Sequence, residues 1–298
     1  MKSARQPIDG VLLLDKPVGI TSNAALQKAK WLLNAKKAGH TGTLDPFADG
    51  LLPLCFGEAT KFSAYLLEAD KHYRAVMQLG VTTTTGDPEG EVLSTREVDV
   101  SRDDILAVLP RFMGEIEQIP PMHSALKHQG RPLYEYARAG IEIERPARKV
   151  TIRSLELIEC APPRIVLDVQ STAGTYIRTL AQDIGAALGC GAHLTALKRT
   201  AAGGFSLEQA HTLAELEALE PGDRQTLLQP ADYLVAHLPA LYLDEPDAAS
   251  LCQGRNIAYS AADSGLMRVY TATNRFLGLA DADAGQLVPR RLINTQQA

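Results

Sequence analysis

The alternation of apolar and polar positions along the chain marks strands separated by stretches of helical spacing. Gly10-Val11-Leu12-Leu13-Leu14-Asp15 is an apolar run stopped by Lys16-Pro17, which predicts a short buried strand and a turn. A helix capped at Thr21 or Ser22 follows, expected to reach about Lys36. Ala25, Leu26, Ala29, Leu32 and Leu33 supply its buried stripe and lysines its wet side. Residues 58–67 read as a further helix, and residues 72–80 as a strand with Tyr73, Ala75, Met77 and Leu79 on one face. Residues 82–90 are polar and punctuated by Gly and Pro, and predict an exposed loop. Ser101, with Asp104 three residues on, opens a helix ending near Met113-Gly114. Residues 148–159 and 164–170 alternate as strands, and Gly174 turns the chain into another helix that reaches Gly185. After a short acidic helix at 213–219, residues 265–270 and 275–280 alternate between glycine turns, which predicts a small β-rich module at the C-terminal end.

Composition narrows this to a globular protein: 298 residues, of which 45% are hydrophobic and 22% charged, can bury a large core. No stretch approaches the ~20 apolar residues of a membrane span, and the first residues lack an apolar export core, so the cytoplasm is expected. Cys55, Cys160, Cys190 and Cys252 are too scattered for a disulfide framework, and the Cys190/His193 pair has no second pair to complete a zinc site. The net charge of −5 argues against nucleic acid at face value. Its distribution argues otherwise. Lys16, Lys28, Lys30, Lys36 and Lys37 precede Leu44 without an intervening acid, and basic residues outnumber acids from Lys127 to Lys149. Acids gather in residues 87–104 and 208–223 instead. One basic face would suit phosphate contacts; charge alone fits solvated helix faces equally well.

The most informative run is Gly39-His40-Thr41-Gly42-Thr43-Leu44-Asp45-Pro46-Phe47-Ala48-Asp49-Gly50. Its glycines suit a shaped loop with close backbone approach. Spacing alone places Asp45 at the N-cap of a short helix whose first residue is Pro46. The run and its continuation, Gly50-Leu51-Leu52-Pro53 and Gly57-Glu58-Ala59-Thr60-Lys61, resemble the catalytic loop of the TruB-type tRNA pseudouridine synthases, whose pattern is G-H-x-G-x-L-D-P, G-x-L-P and G-x-A-T-K. The Lys16-Pro17-x-Gly19-x-Thr21-Ser22 motif and the Gly174-Thr175-Tyr176-Ile177-Arg178 block resemble the same family, and the likeness continues through residues 189–199.

That resemblance implies an α+β fold with a mixed, mostly antiparallel sheet flanked by helices. Residues 1–236 would form the catalytic domain, with a basic RNA-contacting excursion at about 119–149, and residues 237–298 a PUA-like RNA-binding module. It implies isomerisation of a uridine in the T loop of tRNA, at position 55, to pseudouridine. Asp45 would be the catalytic nucleophile and Arg178 its partner. Tyr73 would stack on the target uracil, Tyr176 pack beside the flipped base, Leu197 close over it, and His40 brace the gap left in the RNA. From the residues alone, Tyr73 and Leu197 read as core and Arg178 as a cation near a helix start. Lys127, Arg131, Tyr134 and Tyr136 mix cations and aromatics as single-strand RNA contacts do, or simply pack. No cofactor or metal is expected, because an isomerisation consumes none and no phosphate-loop or dinucleotide fingerprint appears. The expected partner is the T-stem-loop of tRNA, bound by a monomer. Rival readings are a hydrolase with an Asp45 nucleophile, a non-catalytic RNA-binding module, and a related enzyme acting on rRNA within a protein complex. The first is disfavoured by Phe47, where aspartyl phosphotransferases carry a second carboxylate.

Overall fold

A computed structural model of the chain describes residues 4–260 and 264–294. The outer ends of the two expected segments, residues 1–3 and 295–298, therefore lie outside the described residues. The fold is α+β. Strands β1 (Gly10–Lys16), β2 (Asp49–Phe56), β3 (Lys71–Leu79), β4 (Gly114–Gln118), β5 (Arg148–Ala161), β6 (Arg164–Ser171) and β7 (Ala192–Ala202) form the main sheet in the spatial order β1-β2-β7-β3-β6-β5-β4. Ala38–His40 adds to β2, and His211–Thr212 runs parallel to β1 at the edge. The sheet is mostly antiparallel; the β2–β7 pairing is parallel and short, joining Asp49 to Lys198 and Gly50 to Arg199. Gly50 makes this possible, since its φ of 99° suits glycine and a Cβ there would stand 2.4 Å from the Arg199 carbonyl oxygen.

Helix α1 (Ser22–Leu32) buries Ala25, Leu26, Ala29 and Leu32 as expected, with Thr21 accepting from the Ala24 N–H as its cap. It ends four residues earlier than its lysines suggested, because the chain turns at Asn34 (φ 53°) to reach the Ala38–His40 strand. Residues 58–67 divide into a 3-10 turn, Gly57–Phe62, and α2 (Ser63–Leu67). Helix α3 (Arg102–Val108) carries the capping box of Ser101 and Asp104. Helix α4 (Ile177–Ala187) packs Ile177, Leu180, Ala181 and Ile184 into the main core with Leu12, Leu54, Met77 and Leu167.

Near the C-terminus, β8 (Ala240–Leu243), β9 (Gly265–Thr271), β10 (Phe276–Asp283) and β11 (Gln286–Leu292) build a five-stranded sheet with the short Ile257–Ala258 strand. Helix α5 (Glu245–Cys252) shares a core with it through Leu251, Val269, Leu277 and Leu287. Leu279 faces the other way and joins Val11, Leu13, Leu51, Phe62, Leu234 and Val235, so the second sheet is seated on β1, β2 and the 57–67 segment. No described helix is long and apolar enough to cross a membrane.

Candidate active site

The 39–50 run is held from below by Gly19 and by the first residue of α1. Ser22 is buried; its Oγ accepts from the Leu44 N–H at 2.8 Å and donates to the Leu44 carbonyl at 3.0 Å. The Gly19 N–H donates to the Pro46 carbonyl at 2.7 Å. From above, fully buried Arg199 donates from Nε to the Leu51 carbonyl at 2.7 Å and from Nη2 to the Gly42 carbonyl at 3.4 Å. Pro46 starts no helix. The Ala48 N–H donates to the Asp45 carbonyl at 3.1 Å and closes a turn with Asp first and Pro second, positions both residues favour. The capping role expected for Asp45 gives way to a carboxylate turned toward the cleft.

That carboxylate meets Arg178, with Nε 3.0 Å from Asp45 Oδ2. The Arg178 side chain is 5% exposed and that of Asp45 34%, so the acid is reached from the cleft while the guanidinium lies behind it. Arg178 Nη1 also pairs with Asp87 Oδ2 at 3.1 Å and donates to the Thr85 carbonyl at 3.2 Å, and Nη2 donates to the His123 carbonyl at 2.7 Å. Asp87 was not anticipated as a site residue. It lies in the 82–90 segment that the sequence marks as an exposed loop, yet it is buried, with its Oδ1 accepting from the Glu89 N–H and from Thr85 Oγ1. A carboxylate can be buried there because it is paired and doubly hydrogen-bonded, which polarity and Gly/Pro content cannot reveal.

Burial pushes the Asp45 carboxyl above its ordinary value; Arg178 pulls the other way and Asp87 adds to the rise. Desolvation thus outweighs the guanidinium at Asp45. Fully buried Lys16 donates to the Pro17 and Ile20 carbonyls at 2.9 and 2.7 Å, and burial lowers it to about 8. It is thus no part of an exposed basic face.

Strand register supplies the rest. Tyr73 on β3 lies opposite Arg199 on β7, and Leu197 opposite Ala75, so Tyr73, Leu197 and Arg199 rise from the sheet on the same side. The loop into α4 brings Tyr176 over them. Its backbone is gripped by buried Gln118, which accepts from the Tyr176 N–H at 3.0 Å and donates to its carbonyl at 3.3 Å. Asp45, Tyr73, Tyr176, Arg178 and Leu197 line one cleft of about 410 Å³, and Ser124, Ala125 and Leu126 of the 119–149 excursion close its side. This volume falls within the ~300–1,000 Å³ of ordinary ligand pockets.

His40 stands apart from that group, in an adjoining cleft shared with Asp45, Arg178, Tyr134 and Arg138. Its Nδ1 is buried without a hydrogen-bond partner, and burial, with Arg199 next, lowers its pKa, which favours the neutral ring. In the excursion, the Arg131 and Arg138 guanidiniums lie over Tyr136 and Tyr134, 4.8 and 5.5 Å from the ring centres. Among the described residues no group of three or more His, Cys, Asp or Glu is arranged to hold a metal ion.

Comparison with known proteins agrees along the whole chain. The family described as TruB family pseudouridylate synthase (N-terminal domain) matches residues 30–177. A tRNA pseudouridylate synthase B C-terminal domain matches residues 178–236, and the C-terminal region of pseudouridine synthase II TruB matches residues 239–293. The chain is 75% identical to tRNA pseudouridine synthase B of Thiobacillus denitrificans over 298 residues, covering 100% of both proteins. It is 58% identical to the protein of that name from Chromobacterium violaceum, covering 99% of this chain and 98% of the relative. Among solved structures, a Cbf5-Nop10-Gar1 complex matches with a TM-score of 0.71 at 30% identity, over 96% of this chain and 84% of the other. An H/ACA RNP bound to a substrate RNA containing 2'-deoxyuridine matches with a TM-score of 0.71 at 27% identity, over 97% and 86%. With a buried arginine holding the Asp45 carboxylate at a cleft of about 410 Å³, and with matches of this extent, the chain belongs to the TruB family of pseudouridylate synthases.

Proposed function

We propose that the protein converts the uridine at position 55, in the T loop of tRNA, to pseudouridine by extracting the base from the folded RNA. The observation that carries this reading is the Asp45–Arg178 pair at 3.0 Å inside the cleft that Tyr73 and Tyr176 also line. The reaction breaks the N1–C1′ bond, turns the base and forms C5–C1′, so the site must hold both fragments while excluding water. Asp45 is the nucleophilic group, Arg178 sustains its charge and position, and Leu197 closes over the base. Tyr73 stacks on the uracil and Tyr176 packs at its side, repaying part of the few kcal/mol that unstacking costs. Neutral His40, in the adjoining cleft, braces the gap the base leaves. Residues 1–236 form the catalytic domain, and residues 237–298, with a core of their own, a PUA-like RNA-binding module. The enzyme works as a monomer in the cytoplasm on the T-stem-loop. Whole-length likeness to proteins named tRNA pseudouridine synthase B supports tRNA over the substrates of the RNP relatives, whose identity to this chain is 27–30%.

The test is Asp45→Asn, assayed on unmodified tRNA by tritium release and by carbodiimide-dependent reverse-transcription stops in the T loop. Turnover should vanish while tRNA binding persists. Near-wild-type turnover, or stops outside the T loop, would overturn the assignment.

A further inference from the structure

A second cleft, of about 560 Å³, opens where the C-terminal sheet meets the main sheet, lined by Tyr242, Tyr270, Asn274, Arg275, Asp232 and Phe276 among others. Its wall is an aromatic ladder running from solvent into the core. Tyr242 stacks on Tyr270 with ring centres 5.3 Å apart and planes at 24°, Tyr270 meets Phe276 at 5.4 Å, and Phe276 meets Phe62 at 5.4 Å. Tyr270 is further fixed by donating to Asp232 Oδ2 and by accepting from Arg268 Nη1 at 3.0 Å. Tyr242 is thus immobilised from beneath, yet remains 56% exposed. A rigid aromatic with one covered and one open face is a stacking platform whose ordering cost has already been met.

The polar groups around it are unequally satisfied. Asp9 accepts from the Glu58 N–H, Glu58 pairs with Lys61 and accepts from the Asn294 N–H, and Asp232 is held by Tyr270 and Arg268. The Arg275 guanidinium and the Asn274 carboxamide make no hydrogen bond or ion pair among the described residues, and both stand in a turn tied by Thr271. The cleft therefore offers a planar face, a guanidinium with no carboxylate paired to it and an amide able to read a base edge; the Asp9 carboxylate in the same lining likewise has no cation paired to it among the described residues. It also has a fixed relation to the catalytic cleft. Glu58 lines one and Leu67 the other, at the two ends of a helical segment about 15 Å long.

We propose that this cleft binds one unpaired nucleotide, its base on Tyr242 and its phosphate on Arg275, and that the nucleotide belongs to a part of the tRNA outside the T arm. The proposal rests on the tRNA reading above for the source of the nucleotide, but not for its chemistry. Tyr242→Ala and Arg275→Gln, both at exposed positions, should each weaken binding of full-length tRNA transcript roughly 5- to 10-fold in filter binding. Binding of the isolated T-arm hairpin should be unchanged, and Tyr242→Phe should bind the transcript like wild type. Titration of the whole protein with AMP separates the sources. AMP binding that is lost in Tyr242→Ala, without any effect on the transcript, would assign the cleft to a free nucleotide. No effect on either RNA and no AMP binding, or equal losses for hairpin and transcript, would overturn the site. If wild type modifies neither RNA, the T-loop reading fails, while the binding comparison still decides the cleft.

Discussion

Arg178 has four acceptors around one guanidinium: two carboxylates and two backbone carbonyls. Only a planar group with five fixed donors can serve them together, so a lysine would retain the charge and lose the geometry. Arg178→Lys should reduce kcat on the order of 100-fold and also lower the thermal transition, because buried Asp87 and the two carbonyls lose fixed donors; equal activity would make the fork irrelevant. The pH dependence follows from Asp45. In the proposed reaction its ionised form is the reactive one, and burial raises its pKa, so activity should fall on the acid side at a higher pH than for an ordinary aspartate near ~3.9. Arg178 pulls that pKa down, so the acid limb of kcat/KM should move up again in Arg178→Gln. An unmoved limb would show that another group controls it. Asp45 and Arg178 were legible as a pair from their two motifs. Asp87 was not, because a buried carboxylate in a polar loop is recognisable only from the arginine it faces.

Elements carry the residues to one place through register and close approach. The alternation in residues 72–80 gave the strand and the face of Tyr73 correctly, but only the pairing with β7 shows that Tyr73, Leu197 and Arg199 share a side. The parallel β2–β7 pairing, on the other side of the same strand, explains Gly50. It sits at φ 99° against the Arg199 backbone, where any side chain collides with a strand that also anchors the catalytic loop. Gly50→Ala should cost on the order of 1–3 kcal/mol from backbone strain alone, read as a lower denaturation midpoint with the m-value retained. A midpoint equal to wild type would mean that the β2–β7 junction yields. Helix ends were less legible than strands: lysines continue past α1 to Lys37, and the turn at Asn34 is set by pairing of the next segment with β2.

For the whole molecule, a net charge of −5 conceals a local arrangement. Lys36 and Lys37 are exposed and lead directly into the short strand that carries His40, whereas Lys16, from the same basic run, is buried. Substituting Lys36 and Lys37 together by Gln should weaken tRNA binding without changing kcat. The slope of log affinity against log salt should become shallower by about 0.7–0.9 for each phosphate that a lysine no longer neutralises. An unchanged slope would place the RNA on another face. The sequence could count these charges; which of them reach solvent depends on a fold that buries Lys16 under its own backbone carbonyls.

The His123 carbonyl that accepts from Arg178 belongs to the 119–149 excursion, whose next residues form the cleft wall. That wall and Asp45 thus hang on one guanidinium: whatever shifts the wall moves a donor group that the carboxylate also uses, so the side of the cleft and its acid behave as one mechanical unit.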